Sequence, residues 1–305
     1  MANLIKKILK ALGLLGIARM VYRRIKLNQK IIDEKTSSIE QMIQVSLVNQ
    51  YKILSSMNKY SKFLDIGFKA YSQFDEDGIL LYIFSLIGFT NRKVVEICCG
   101  TGYECNTANL IINHSCQGLL FDGNAFNIKT ANDFFRMNQM TALIPPLCKQ
   151  AWITKDNINK LIQNENFLGN IDLLSLDIDG NDYWVWEAID KINPRVFICE
   201  TCNFAPNDKA ITIPYKEDFI CSSPENFCDD FRGASSLAMI KLSKKKGYRL
   251  VGAHKHGFNL IFIREDIGQK YFPEVRIEDV SNNPWTIESK KKRWDKVKNL
   301  PWLEV

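Results

Sequence analysis

The chain has 305 residues, 46% of them apolar and 24% charged, which is the composition of an ordinary soluble globular protein with room for a full core. Its net charge of +6 sits at the ends: residues 1–30 carry eight Lys or Arg and no acid, and Lys290–Arg293 reads KKKR. No basic stripe interleaved with aromatics occurs, so nucleic acid is excluded as a partner. Nine cysteines scattered through apolar runs predict reduced, buried thiols and a cytoplasmic protein. Cys199-x-x-Cys202 has a metal-like spacing, but no second pair completes four ligands.

Residues 1–27 place Leu4, Ile5, Ile8, Leu9, Leu12 and Leu15 on one helical face, flanked by Lys6, Lys7, Lys10, Arg19, Arg23 and Arg24. Ala11–Ala18, the longest apolar run there, is far too short to span a bilayer. Two readings stand: a helix resting on an anionic membrane surface at the inner face, or one packing on its own domain or a partner subunit. Thr36–Ser56 continues in a helical pattern, so residues 1–60 form a basic amphipathic extension before a domain over 61–270 and a tail over 271–305.

Tyr71–Gly88 predicts a helix with Asp75, Glu76 and Asp77 in its first turn, where acids favour the helix dipole. Lys93–Gly102, KVVEICCGTG, is a β-branched strand that runs into two glycines able to turn sharply beside a ligand. Tyr103–Asn113 reads as the crossover helix. Gly118–Asp122 is a second strand, ending in an acid 20 residues beyond Gly102, where nucleotide-binding α/β folds bind a ribose diol. Asn127–Met137 is helical, Thr141–Leu147 a third strand and Ile158–Glu165 a helix.

Ile171–Ile178 is a fourth strand. It leads through Asp177 and Asp179 into an aromatic helix. Pro194–Glu200 is a fifth strand ending in Glu200, with Asn203 beyond. Carboxylates from these neighbouring strand ends can hold a hard cation or a substrate hydroxyl; the residues leave both open. Residues 203–234 lack periodicity, which predicts a lid. Ser235–Lys246 is a helix, and Tyr248–Ala253 with Asn259–Arg264 form a hairpin whose turn carries His254 and His256.

Read together, YSQFDEDGILLYIF, VVEICCGTGYECNT, LLFDGN, LLSLDIDGNDYWVWEAI, PRVFICE and KGYRLVGAHKHGFNLIFIRED resemble the FkbM-type class I S-adenosylmethionine-dependent methyltransferases over about residues 70–265. The resemblance implies a Rossmann-like α/β fold with a seven-stranded, mostly parallel sheet in order 3-2-1-4-5-7-6. It implies S-adenosylmethionine as cofactor and O-methylation of a sugar or glycan precursor in polysaccharide or glycoconjugate biosynthesis. By position, Glu96, Gly100 and Gly102 hold the methionine part, Asp122 the ribose, and Gln73 and Glu76 lie near the amino-acid end. Cys98 stands where the family's motif has a glycine. Asp177 and Glu200 match acidic ligands of related metal-dependent enzymes that use Mg²⁺ or Mn²⁺. Asp177, Asp179, His254 and His256 are the candidate catalytic residues. A homo-oligomer is compatible with the chain. The rival readings are a nicotinamide-dependent Rossmann oxidoreductase or epimerase, against which Cys105 replaces the third glycine of G-x-G-x-x-G, and an inactive membrane-associated scaffold.

Overall fold

The computed structural model describes residues 15–221 and 230–305. The start of the basic N-terminal segment therefore lies outside the described residues. The chain divides into two units, residues 1–50 and 51–305. Helix α1 (Leu15–Ser56) is a single 42-residue element where the sequence suggested two, and it exposes Ile17, Met20, Val21, Tyr22, Ile25 and Leu27. Among the described residues no helix is long and apolar enough to cross a membrane.

The second unit holds a seven-stranded sheet. Its strands are β1 (Lys93–Ile97), β2 (Gln117–Asp122), β3 (Leu147–Gln150), β4 (Gly169–Leu176), β5 (Ile192–Glu200), β7 (Tyr248–Ala253) and β8 (Asn259–Arg264). A two-residue strand, β6 (Ile211–Thr212), lies between β5 and β7 in the chain and pairs outside this sheet with β9 (Leu303–Glu304). The spatial order is β3-β2-β1-β4-β5-β8-β7, with β1 to β5 parallel and β8 antiparallel to both neighbours. This is the Rossmann-like sheet expected, with β6 alone shifting the last two labels. An all-parallel dinucleotide-binding sheet would end in a sixth parallel strand instead.

The apolar runs are buried on both faces, as central parallel strands require: Val94, Val95, Leu119, Leu173 and Leu174 have no exposed surface. Trp186 stacks on Phe197 at 4.0 Å between centroids, and its indole N–H donates to Ser243 Oγ at 3.1 Å, so the largest core side chain leaves no polar atom unpaired.

Two expected elements begin elsewhere. Pro145-Pro146 precede the third strand, which is Leu147–Gln150; residues 141–144 form a turn with Leu143 and Ile144 exposed. The crossover helix, α2 (Ala108–His114), starts at Ala108, because the N–H groups of Asn106 and Thr107 donate to Glu96. In segment 203–234, of which residues 222–229 lie outside the described residues, several contacts are fixed. Ile211 and Ile213 are buried, Ile213 N–H donates to the Gly233 carbonyl, and Ser235 N–H donates to the Ile211 carbonyl.

At the sheet edge away from the site, Asp172 takes backbone N–H groups from Thr90, Asn91 and Arg92 and pairs with Arg195 at 2.9 Å. Burial pushes its pKa up, but Arg195 and the amide donors override that and leave it below the ordinary range. Asp172→Ala strands a buried guanidinium and should cost roughly 3–5 kcal/mol in urea unfolding. A loss below about 1 kcal/mol would contradict this assignment.

Candidate active site

Register aligns the chemistry. Ile97 lies between Phe121 and Leu176, Asp122 pairs with Gln150, Leu176 with Cys199, and Glu200 with Asn259. The Cys98 loop, Asp122, Asp177 and Glu200 therefore emerge together at the carboxyl ends of β1, β2, β4 and β5. That is where open α/β sheets bind ligands.

The glycine loop is tightly specified. Cys98, Gly100 and Gly102 have φ of +70°, +54° and +80°, a left-handed conformation that costs a non-glycine residue about 1 kcal/mol. At Cys98 a residue with a Cβ adopts a conformation that glycine would take without that cost. A Cβ on Gly100 would meet nothing within 4 Å, so the loop leaves open space at that point. The N–H groups of Cys98 and Cys99 donate to the Phe121 carbonyl at 2.8 and 2.9 Å, and Gly100 N–H donates to Asp122 Oδ2 at 3.0 Å. Asp122 Oδ1 accepts from Asn124 N–H at 2.8 Å and from Asn127 Nδ2 at 3.1 Å.

Beside this loop is a cleft of about 80 Å³ lined by Cys98, Asp122, Gly123, Trp152, Ile178, Asn181 and Phe219. Apolar walls with a carboxylate at one end suit an adenosine. Asn181 adds a second fit: its Nδ2 donates to the Lys216 carbonyl at 2.8 Å, which fixes the amide, and its buried Oδ1 has no partner. That oxygen can accept an exocyclic amine. Phe219 lies over Gly180, where a Cβ would fall 2.4 Å from the ring, so only glycine permits the closure. The residues present fit S-adenosylmethionine.

Other expected residues serve the framework. Glu96 is buried; its oxygens accept from Asn106 N–H, Thr107 N–H and Ser175 Oγ at 3.0, 2.7 and 3.3 Å, so it shapes the loop and does not face a ligand. Glu76 is buried between Asn259 Nδ2 at 2.8 Å and Phe74 N–H at 3.0 Å. Asp77 collects the N–H groups of Ala70, Tyr71 and Ser72. Gln73 is exposed in this same loop.

The histidines depart furthest from expectation. His254 is 2% exposed, accepts Asn259 N–H at Nδ1, and is pushed down to about 3 by burial. It is a neutral packing residue against Phe74 and Phe258, at centroid distances of 5.5 and 4.2 Å. His256 packs on Phe74 and Trp285, and burial with Lys255 lowers its pKa. His254 does not fit a catalytic base, because burial disfavours the imidazolium that a base must become.

Asp177, Asp179 and Glu200 do converge, with one oxygen of each within 4.8 Å of the others; among the described residues no other group of three has metal-ligand spacing, the Cys199–Cys202 pair included. Burial first, then the charges of Glu200 and Asp179, hold Asp177 well above the usual carboxylate range, and burial also raises Glu200. Such a pair favours sharing one proton. Arg232, which the sequence reading missed, fills the cluster: Nη1 is 2.6 Å from Asp179 Oδ1 and Nη2 is 3.5 Å from Glu200 Oε1. The donor oxygens suit Mg²⁺ or Mn²⁺, but the cluster already has its cation, so a divalent ion does not fit it as folded. Arg232 carried no signal because it lies in an aperiodic stretch with no motif around it.

Asp182 and Glu200 line a second, smaller pocket of about 20 Å³ with Asp179, Arg232, Phe204 and Phe258.

No family model and no curated protein matches the chain. Among solved structures it is similar to the N-terminal domain of EvdMO1 with S-adenosylhomocysteine bound, at 10% identity and TM-score 0.43 over 72% of this chain and 95% of that one. It is also similar to magnesium protoporphyrin IX methyltransferase from Synechocystis PCC 6803 with bound S-adenosylmethionine (10%, TM-score 0.38, 62% and 77%). An O-methyltransferase family protein from Burkholderia thailandensis matches at 10% and TM-score 0.38 over 62% and 57%.

Two outcomes follow. Asn181→Leu should weaken S-adenosylmethionine binding roughly tenfold, the value of one lost hydrogen bond left unpaired, and unchanged affinity would remove Asn181 from the cleft. Asp182 is raised from 3.8 to about 7 by burial and Asp177. The folded chain therefore holds a proton there that the unfolded chain releases, and its share of stability falls as pH rises from about 4 to about 7. Thermal melts of Asp182→Asn should lose that part of the pH slope; identical slopes would contradict it.

Proposed function

We propose that the chain is an S-adenosylmethionine-dependent O-methyltransferase acting on a hydroxyl of a sugar or glycan precursor, in polysaccharide or glycoconjugate biosynthesis. The supporting observation is the alignment at one sheet edge of the Asp122-anchored glycine loop, the apolar cleft with the unpaired Asn181 oxygen, and the Asp177–Glu200 pair. The antiparallel β8 beside β5 and the loss of the third glycine at Cys105 disfavour a nicotinamide-dependent oxidoreductase or epimerase. The partnered acid cluster speaks against an inactive scaffold.

Asp122, Gly100 and Gly102 would hold the cofactor, with Trp152, Ile178 and Asn181 around its adenine. When bound, S-adenosylmethionine supplies an electrophilic methyl group on a sulfonium. The chain's part is to hold the acceptor oxygen in line and to take its proton. Positioning supplies most of the acceleration. Asp177 and Glu200, whose pKa values are raised chiefly by burial, stand beside a fixed guanidinium and are suited to accept the hydroxyl proton.

Methyl transfer from radiolabelled S-adenosylmethionine to nucleotide-linked and lipid-linked sugars tests the reading. Asp177→Ala should lower turnover by roughly 10²-fold or more while cofactor affinity changes little. Unchanged turnover would take Asp177 out of the reaction.

The exposed apolar residues of α1 stand beside Arg19, Arg23, Arg24 and Lys26, a pattern that suits an anionic membrane surface. Flotation with anionic liposomes should retain the full chain and lose one starting at Asp33; equal behaviour would sink this reading.

A further inference from the structure

We infer that Arg232 is a positioning residue that does the work a divalent cation would do among clustered carboxylates. It holds the acidic oxygens at fixed separation and compensates their charge where the acceptor hydroxyl must sit. The inference rests on the proposed methyl transfer for its purpose, but its physical content is independent of it.

Three observations carry it. One oxygen each of Asp177, Asp179 and Glu200 comes within 4.8 Å of the others, so ionising the cluster without a counter-charge would be costly. One guanidinium bridges two of these acids, Asp179 at 2.6 Å and Glu200 at 3.5 Å. The other arginine in the pocket, Arg293, is committed elsewhere: its Nε donates to Asp230 at 2.7 Å and its guanidinium lies 4.2 Å from the Phe204 ring centre.

Arg232 is also held in place by its backbone. Cys202 Sγ donates to the Arg232 carbonyl at 2.6 Å, Cys202 N–H donates to the Ala234 carbonyl at 2.8 Å, and Gly233, at φ +62°, turns the chain between them. These bonds tie the residue to the segment just beyond β5, so the side chain reaches the acids from a fixed base. A planar guanidinium with its fork of donors can set two carboxylates at a defined distance, which a lysine point charge cannot do. Unlike an exchangeable ion, it needs no supply from solution.

The test is Mn²⁺ binding to the full chain, read by electron paramagnetic resonance, with S-adenosylmethionine titration alongside. The wild type should bind no Mn²⁺ at this cluster up to a concentration on the order of 1 mM. Arg232→Gln should gain one site, roughly tenfold tighter or more than anything the wild type shows, and Glu200→Gln added to it should remove that site. Arg232→Lys, which keeps the charge, should stay free of Mn²⁺. Arg232→Met repeats the measurement if the glutamine variant does not melt cooperatively. Wild-type binding as tight as that of Arg232→Gln would overturn the inference, as would a folded Arg232→Gln or Arg232→Met chain that gains no site. Absence of S-adenosylmethionine binding to both the wild type and the variants would overturn the methyltransferase reading alone, leaving the Mn²⁺ result to decide the role of Arg232.

Discussion

Loops at the edge of a buried sheet expose backbone N–H groups that water cannot reach, and this chain satisfies them with carboxylates. Asp77 takes three such groups from residues 70–72, Glu96 takes those of Asn106 and Thr107, Asp122 takes those of Gly100 and Asn124, and Asp182 takes those of Ile178 and Gly180. Left unpaired, each of these buried donors would cost roughly 1–3 kcal/mol. The shape of the crevice follows from these four acids. Removing one would free a loop as well as a charge.

The same constraint sorts the acids by role. An acid whose oxygens are filled by backbone or side-chain amides is architecture, as Glu96 and Glu76 are. Asp177, Asp179 and Glu200 take no backbone N–H among the contacts described; they face one another and Arg232 instead. Asp122 belongs to both groups. Its carboxylate fixes the glycine loop and also lines the apolar cleft.

The sheet was legible because its signal is local: β-branched runs that end in glycines or acids, spaced by helices. The strand-end acids were legible for the same reason, and register then places them together. What a one-dimensional pattern could not supply was which oxygens are already used. Glu96 and Glu76 look like ligand-facing acids until the amides of Asn106, Thr107 and Phe74 are seen on them. His254 looks like a base until its burial is known. Arg232 and Asn181 escaped because their meaning comes from partners over fifty and thirty residues away, respectively, Asp179 and the Lys216 carbonyl. Pro145-Pro146 misled by sitting before a strand where a strand end was expected.

The central claim is that the crevice binds S-adenosylmethionine, and calorimetric titration of the full chain with S-adenosylmethionine and, separately, NADH tests it most directly. The account predicts saturable binding of the sulfonium cofactor with a dissociation constant on the order of micromolar, and no heat from NADH. Binding of NADH, or of neither, would contradict it.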